Sequence, residues 1–130
     1  MNPVRILIVD DDTDISEAMR VVLENKGYGI DIAIDSKDAL EHLKSQKPDL
    51  IILDVMMRTK SEGFDFSREL KKDPAYRDIP ILMLTAIKEK TGIDFKPAAG
   101  DETWLPVDDF LDKPVRPEQL IEKVASLLKK

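Results

Sequence analysis

Four places in the chain set an acidic, hydroxyl or ammonium side chain directly after an apolar run. Asp10-Asp11-Asp12 follows Ile6-Leu7-Ile8-Val9, and Asp54 follows Leu50 to Leu53. Thr85 follows the run from Ile79 to Leu84, which Pro80 interrupts, and Lys113 follows Phe110-Leu111-Asp112 and precedes Pro114. Taken singly, each is compatible with a solvated loop or a helix cap. Together they point to chemistry. Carboxylates 4 Å apart repel by ~4 kcal/mol per pair at an effective dielectric near 20, so a cluster of them calls for a cation. Donors limited to oxygen suit a hard ion, and Mg²⁺ with retained waters fits best. A nearby ammonium adds positive charge, and a hydroxyl can donate to an oxyanion. Such a set can bind a phosphoryl group and stabilise its charge during transfer, and a carboxylate can itself accept one.

These side chains are useful only if the elements behind them converge. The runs at 6–9, 50–53 and 79–84 read as strands covered on both faces, as in a parallel sheet. Ile30, Ile32 and Ile34 alternate with Asp31 and Ala33, which suits an edge strand, and Phe110-Leu111 is a short fifth candidate. Helical spacing separates them. Ile15, Ala18, Met19, Val22 and Leu23 share one helical face, with Asp14 and Glu17 spaced as a capping box and Gly27 as a stop. Ser36 is placed to cap a second helix carrying Ala39, Leu40 and Leu43 that ends before Pro48. Phe66 and Leu70 mark a third, stopped by Asp73-Pro74. A last helix opens at Pro117 and buries Leu120, Ile121, Val124 and Leu128, with Lys129 and Lys130 at its negative end. The alternation predicts a doubly wound α/β fold with right-handed crossovers. In such folds ligands bind beyond the carboxyl ends of the strands, which is where all four positions fall.

Length and composition bound the rest. At 130 residues the chain suits one domain, 1–130, with a core of its own. The absence of cysteine excludes disulfides and thiolate metal sites. Against 20 basic residues stand 26 acidic ones, a net charge of −6, so direct nucleic-acid binding is disfavoured. No apolar run approaches membrane-spanning length, and the run at 6–9 is too short for a secretory signal; a cytoplasmic location is expected.

At these residues the chain resembles the receiver domains of two-component response regulators. The resemblance rests on Ile6-Leu7-Ile8-Val9-Asp10-Asp11-Asp12, Asp49-Leu50-Ile51-Ile52-Leu53-Asp54, Leu84-Thr85-Ala86 and Asp112-Lys113-Pro114, in the family's order and across nearly the whole chain. It implies a flavodoxin-like, five-stranded parallel sheet of order 2-1-3-4-5. It implies a phosphoacceptor at Asp54, charged by the histidine of a sensor kinase or phosphotransfer protein. Asp10 and Asp11, with Asp54 and the backbone carbonyl of Met56, would hold Mg²⁺. Lys113 would pair with phosphoryl oxygens, Thr85 would hydrogen-bond the phosphoryl group, and Phe110 would be the aromatic partner in the switch. The Lys113-Pro114 bond resembles the family's cis peptide. The domain would not be an enzyme on other substrates, only a self-catalysed phosphoacceptor that passes its signal to a downstream protein or effector. Asp12 reads as a loop carboxylate.

Two stretches depart from the family pattern. Arg58 stands where a proline is usual, in a loop one residue longer before Gly63. From Ala86 to Asp109 the chain is longer than usual, and its prolines and glycines argue against the ordinary helix there. Phe95, Trp104 and Leu105 either cover the sheet or offer a partner an apolar anchor. Met56 and Ile87 occupy the two positions that flank the attacking water in the family; both are apolar, which implies slow self-dephosphorylation.

Other readings fit less well. An EF-hand loop from Asp10 would need glycine at Ile15 and glutamate at Val21. A haloacid-dehalogenase-type phosphatase would use Asp10 as its nucleophile but wants threonine or valine at Asp14. A nucleotide site would need a glycine-rich turn after the first strand. A phosphorylation-independent interaction module would not need every site residue. His42 belongs to the second helix as a surface residue. A stand-alone receiver and a piece of a longer regulator or hybrid kinase are both compatible with the chain.

Overall fold

The computed structural model describes residues 4–54, 62–85, 108–112 and 115–128. Five strands, β1 (Arg5–Val9), β2 (Gly29–Ala33), β3 (Leu50–Asp54), β4 (Ile81–Thr85) and β5 (Asp109–Asp112), form one sheet in the order β2-β1-β3-β4-β5. Every pairing is parallel. Four helices accompany them among the described residues: α1 (Thr13–Glu24), α2 (Ser36–Ser45), α3 (Glu62–Lys72) and α4 (Pro117–Leu128). The expected doubly wound sheet of order 2-1-3-4-5 is therefore observed, with β2 at an edge. Strand pleating sends alternate residues to opposite faces. Ile6, Ile8, Leu50, Ile52, Leu82, Leu84 and Leu111 meet Met19 and Leu23 of α1 and Leu120, Val124 and Leu127 of α4. Leu7, Val9, Ile51, Leu53, Ile81, Met83 and Phe110 meet α2 and α3 through Ala39, Leu43, Phe66 and Leu70. Both faces are apolar because both are covered, which is why these strands read as unbroken runs.

Helix ends explain how the chain enters and leaves this sandwich. Gly27 ends the α1 excursion at φ +93°. The Tyr28 N–H donates to the Leu23 carbonyl and the Gly27 N–H to the Glu24 carbonyl, the bond pair of a Schellman motif. A residue with a side chain is disfavoured at that φ, so the glycine stop has a steric cause. α4 opens at Pro117 and α3 closes at Lys72, as the sequence predicts.

Several boundaries differ from expectation. The cap of α1 is Asp12, whose Oδ1 accepts from the N–H groups of Asp14 and Ile15 at 3.1 and 3.3 Å, in place of Asp14. The cap of α2 is Asp35, accepting from the Asp38 N–H at 2.7 Å, in place of Ser36. Ile34 lies past the end of β2 and is exposed, and Ile79 is buried ahead of β4. His42 lies on α2 with its Nε2 3.7 Å from Asp38 Oδ1. The loop at 55–61 and the stretch 86–107, with Arg58, Ile87, Phe95, Trp104 and Leu105, lie outside the described residues.

Candidate phosphoryl and metal site

The site starts from two adjacent strands. β1 and β3 run in register, Val9 opposite Leu53, so the next residue on each, Asp10 and Asp54, emerges at the same height beyond the carboxyl edge. Asp10 extends the alternation of Ile6 and Ile8, and Asp54 that of Leu50 and Ile52, all on the α1/α4 side of the sheet. Neighbouring parallel strands lie about 4.8 Å apart, so sequence and pairing alone force these two carboxylates together. Asp10 is 0% exposed and Asp54 4%. Asp11, next along the chain, is exposed. One carboxylate oxygen from each of Asp10, Asp11 and Asp54 lies within 4.8 Å of the others. Among the described residues these three alone make a group of three or more potential metal ligands.

The loop that carries Asp10 and Asp11 from β1 to α1 is short and pinned at both ends. The Asp10 N–H donates to the Ala33 carbonyl at 3.0 Å, continuing the β1–β2 ladder. Its Oδ1 accepts from the Asp12 N–H at 2.9 Å. Two acidic side chains this deep in a protein carry a large desolvation cost unless a cation or hydrogen bonds compensate it. Oxygens of Asp10, Asp11 and Asp54 within 4.8 Å of one another are close enough to be offered to one ion. The donor set is all carboxylate oxygen, as a hard divalent ion prefers, and it fits Mg²⁺.

Thr85 is the last residue of β4, in register with Asp112 of β5, and so ends at the same edge as Asp54. Phe110 pairs in register with Met83 and is buried in the core on the α2/α3 face. Of the residues anticipated for the site, Asp10, Asp11 and Asp54 are brought together. Met56, Lys113 and Pro114 lie outside the described residues, as does the side chain of Thr85. What the sequence reading missed is Asp12, which caps α1 and donates to Asp10. Its signal was present: an aspartate directly before Thr13, with a second acid, Asp14, in the first turn, is a strong helix-start pattern.

The family model for the response regulator receiver domain matches residues 6–125. The chain belongs to this family. Among curated relatives of this receiver domain, the response regulator MprA of Mycolicibacterium vanbaalenii is 38% identical over 132 residues, covering 98% of this chain and 52% of that protein. The chain thus spans about half the length of the curated relatives it matches. Among solved structures, a two-component response regulator from Clostridium difficile superposes with a TM-score of 0.81 at 29% identity, covering 98% of this chain and 97% of that one. The chemotaxis response regulator CheY4 of Vibrio cholerae gives a TM-score of 0.77 at 29% identity, with 97% and 99% covered. Receiver domains are signalling modules that bind Mg²⁺ at an acidic pocket, and the Asp10, Asp11 and Asp54 group is compatible with that use. No helix among the described residues is long and apolar enough to cross a membrane.

Proposed function

We propose that residues 1–130 act as one phosphoacceptor domain of a two-component system, with Asp54 as the acceptor. A carboxylate oxygen of Asp54 attacks the phosphorus of a phosphohistidine on a sensor kinase or phosphotransfer protein. The P–N bond breaks and the histidine nitrogen leaves with its electron pair. The observation that carries this reading is the shared pocket of Asp10, Asp11 and Asp54 at the carboxyl edge of β1 and β3. Asp10 and Asp11, with Asp54 and the Met56 carbonyl, would hold Mg²⁺. When bound, that ion neutralises charge on the phosphoryl oxygens. Lys113 would pair with those oxygens, aimed by the Lys113-Pro114 bond. Thr85 would donate its hydroxyl to the phosphoryl group, and Phe110 would follow it as the aromatic switch partner, which its place on the same strand pair as Thr85 supports.

The output is then a protein contact made by a downstream partner or effector in the cytoplasm. The net charge of −6 disfavours direct nucleic-acid binding. Met56 and Ile87 offer no polar group to orient an attacking water, so the phosphoryl group is held for a long time.

Incubation with acetyl phosphate and MgCl₂, followed by intact mass and peptide mapping, tests the reading. One added phosphoryl group on Asp54, absent without Mg²⁺ and absent in Asp54→Asn, is the expected result. Label on Asp10 would instead favour an aspartyl-phosphate phosphatase, and no label at all would remove the proposal.

A further inference from the structure

We infer that Asp12 is a positioning residue for the carboxylate site, acting through the main chain by linking the start of α1 to the side chain of Asp10. This inference rests on the phosphoacceptor reading above. Asp12 is not one of the three clustered carboxylates; its own Oδ1 is taken up by the N–H groups of Asp14 and Ile15. Its backbone works in both directions. Its N–H donates to Asp10 Oδ1 at 2.9 Å, and its carbonyl accepts from the Ser16 N–H at 3.1 Å and the Ser16 Oγ at 3.2 Å. Ser16 is fully buried, so that second anchor is fixed in the core.

The result is a short rigid bridge. Asp10 is tied to β2 through its own N–H and to Asp12 through its carboxylate. Asp12 is tied to α1 through side chain and carbonyl. The backbone of Asp11 is therefore held on both sides, between these two anchored residues. The backbone of Asp12 is extended, at φ −88° and ψ 100°, the geometry a cap needs. Removing the capping oxygen releases the first turn of α1, and with it the N–H that orients Asp10.

The effect is separable from charge. Asp12→Ala removes the acceptor and should weaken Mg²⁺ binding about three- to tenfold, the equilibrium equivalent of losing a cap. Asp12→Asn keeps the acceptor and removes the charge, and should stay within about twofold of wild type because asparagine caps as well as aspartate. Titration calorimetry with MgCl₂ at fixed ionic strength measures both, with circular dichroism to establish that each variant is folded. A purely structural role would lower the melting temperature of Asp12→Ala and leave the Mg²⁺ affinity of the folded protein unchanged, which would overturn the inference. Equal losses in Asp12→Ala and Asp12→Asn would assign the effect to charge and overturn it as well. Should Asp12→Ala not fold, Asp12→Gln, a poor cap with a polar side chain, is read by the same criteria. If the wild type binds no Mg²⁺, the phosphoacceptor reading fails first and this inference with it.

Discussion

Replacing Asp54 with asparagine should stabilise the metal-free protein. Asp10 and Asp54 are both buried, and oxygens of the two lie no more than 4.8 Å apart. At an effective dielectric of about 20, two full charges at that distance repel by at least ~3.5 kcal/mol. Salt does little to relieve it, because buried charges are weakly screened. Asparagine keeps an acceptor oxygen and nearly the same volume while removing the charge, so the part of that repulsion not already offset by the other interactions of Asp10 and Asp54 is recovered. For 130 residues the unfolding entropy near 60 °C is about 0.27 kcal/mol/K, so the full amount corresponds to about 13 °C in melting temperature. A rise of up to about 13 °C for Asp54→Asn over wild type, melted in EDTA, is the expected range once the amide's imperfect fit and the carboxylates' other interactions are allowed for. Added MgCl₂ should then raise the wild type in proportion to the logarithm of its concentration above Kd, and raise Asp54→Asn much less. A melting temperature for Asp54→Asn below that of wild type in EDTA would refute the argument. It would mean that the buried carboxylates are already compensated by the protein itself and need no cation.

The phosphorylated protein should lose its label slowly, and Met56→Asn, which adds a group able to orient water, should shorten the half-life; equal decay of the two, followed by intact mass, would contradict the role given to the apolar pair. Lys71→Met should cost about 1–3 kcal/mol, read as a lower urea midpoint at unchanged slope, because it leaves Asp108 and two backbone carbonyls without their shared donor. In the folded protein the Lys71 ammonium reaches the Arg77 and Ile79 carbonyls at 3.1 Å and Asp108 Oδ2 at 3.2 Å.

Much of this molecule is legible in its sequence, and the reasons are physical. Strands with both faces covered leave an unbroken apolar signature, and helices leave a 3.6-residue one, so β1, β3, α1 and α4 were readable directly. Strand ends collect ligands in doubly wound sheets, so Asp10, Asp11 and Asp54 were readable as a set without coordinates. The helix starts were misplaced because aspartate and serine cap almost equally well. Asp12 competes with Asp14, and Asp35 with Ser36, and local chemistry does not choose between them. The choice is made by tertiary structure. The ladder bond from Asp10 to Ala33 fixes where β1 lets go, and the first residue able to fold back as a cap is then Asp12. The Lys71–Asp108 contact joins residues 37 apart and has no local signal at all.

The distribution of charge along the strands ties these points together. At the amino ends, opposite charges meet. Arg5 pairs with Asp31 at 2.6 Å and its N–H donates to Asp49; Asp108 accepts from both Lys71 and the Ile81 N–H; Lys123 pairs with Asp109 at 3.0 Å. These contacts stitch β1 to β2 and to the start of β3, and hold β5 against α3, β4 and α4. At the carboxyl ends, like charges gather instead, at Asp10, Asp11 and Asp54. A single sheet joins the two ends, so the edge of paired charges and the edge of gathered carboxylates belong to one folded unit. Clustered carboxylates break a local rule, and in a sequence otherwise consistent with its fold such a breach marks where function is placed. A pocket that gathers three carboxylates on one edge of the sheet is suited to a small divalent cation, which takes oxygen donors.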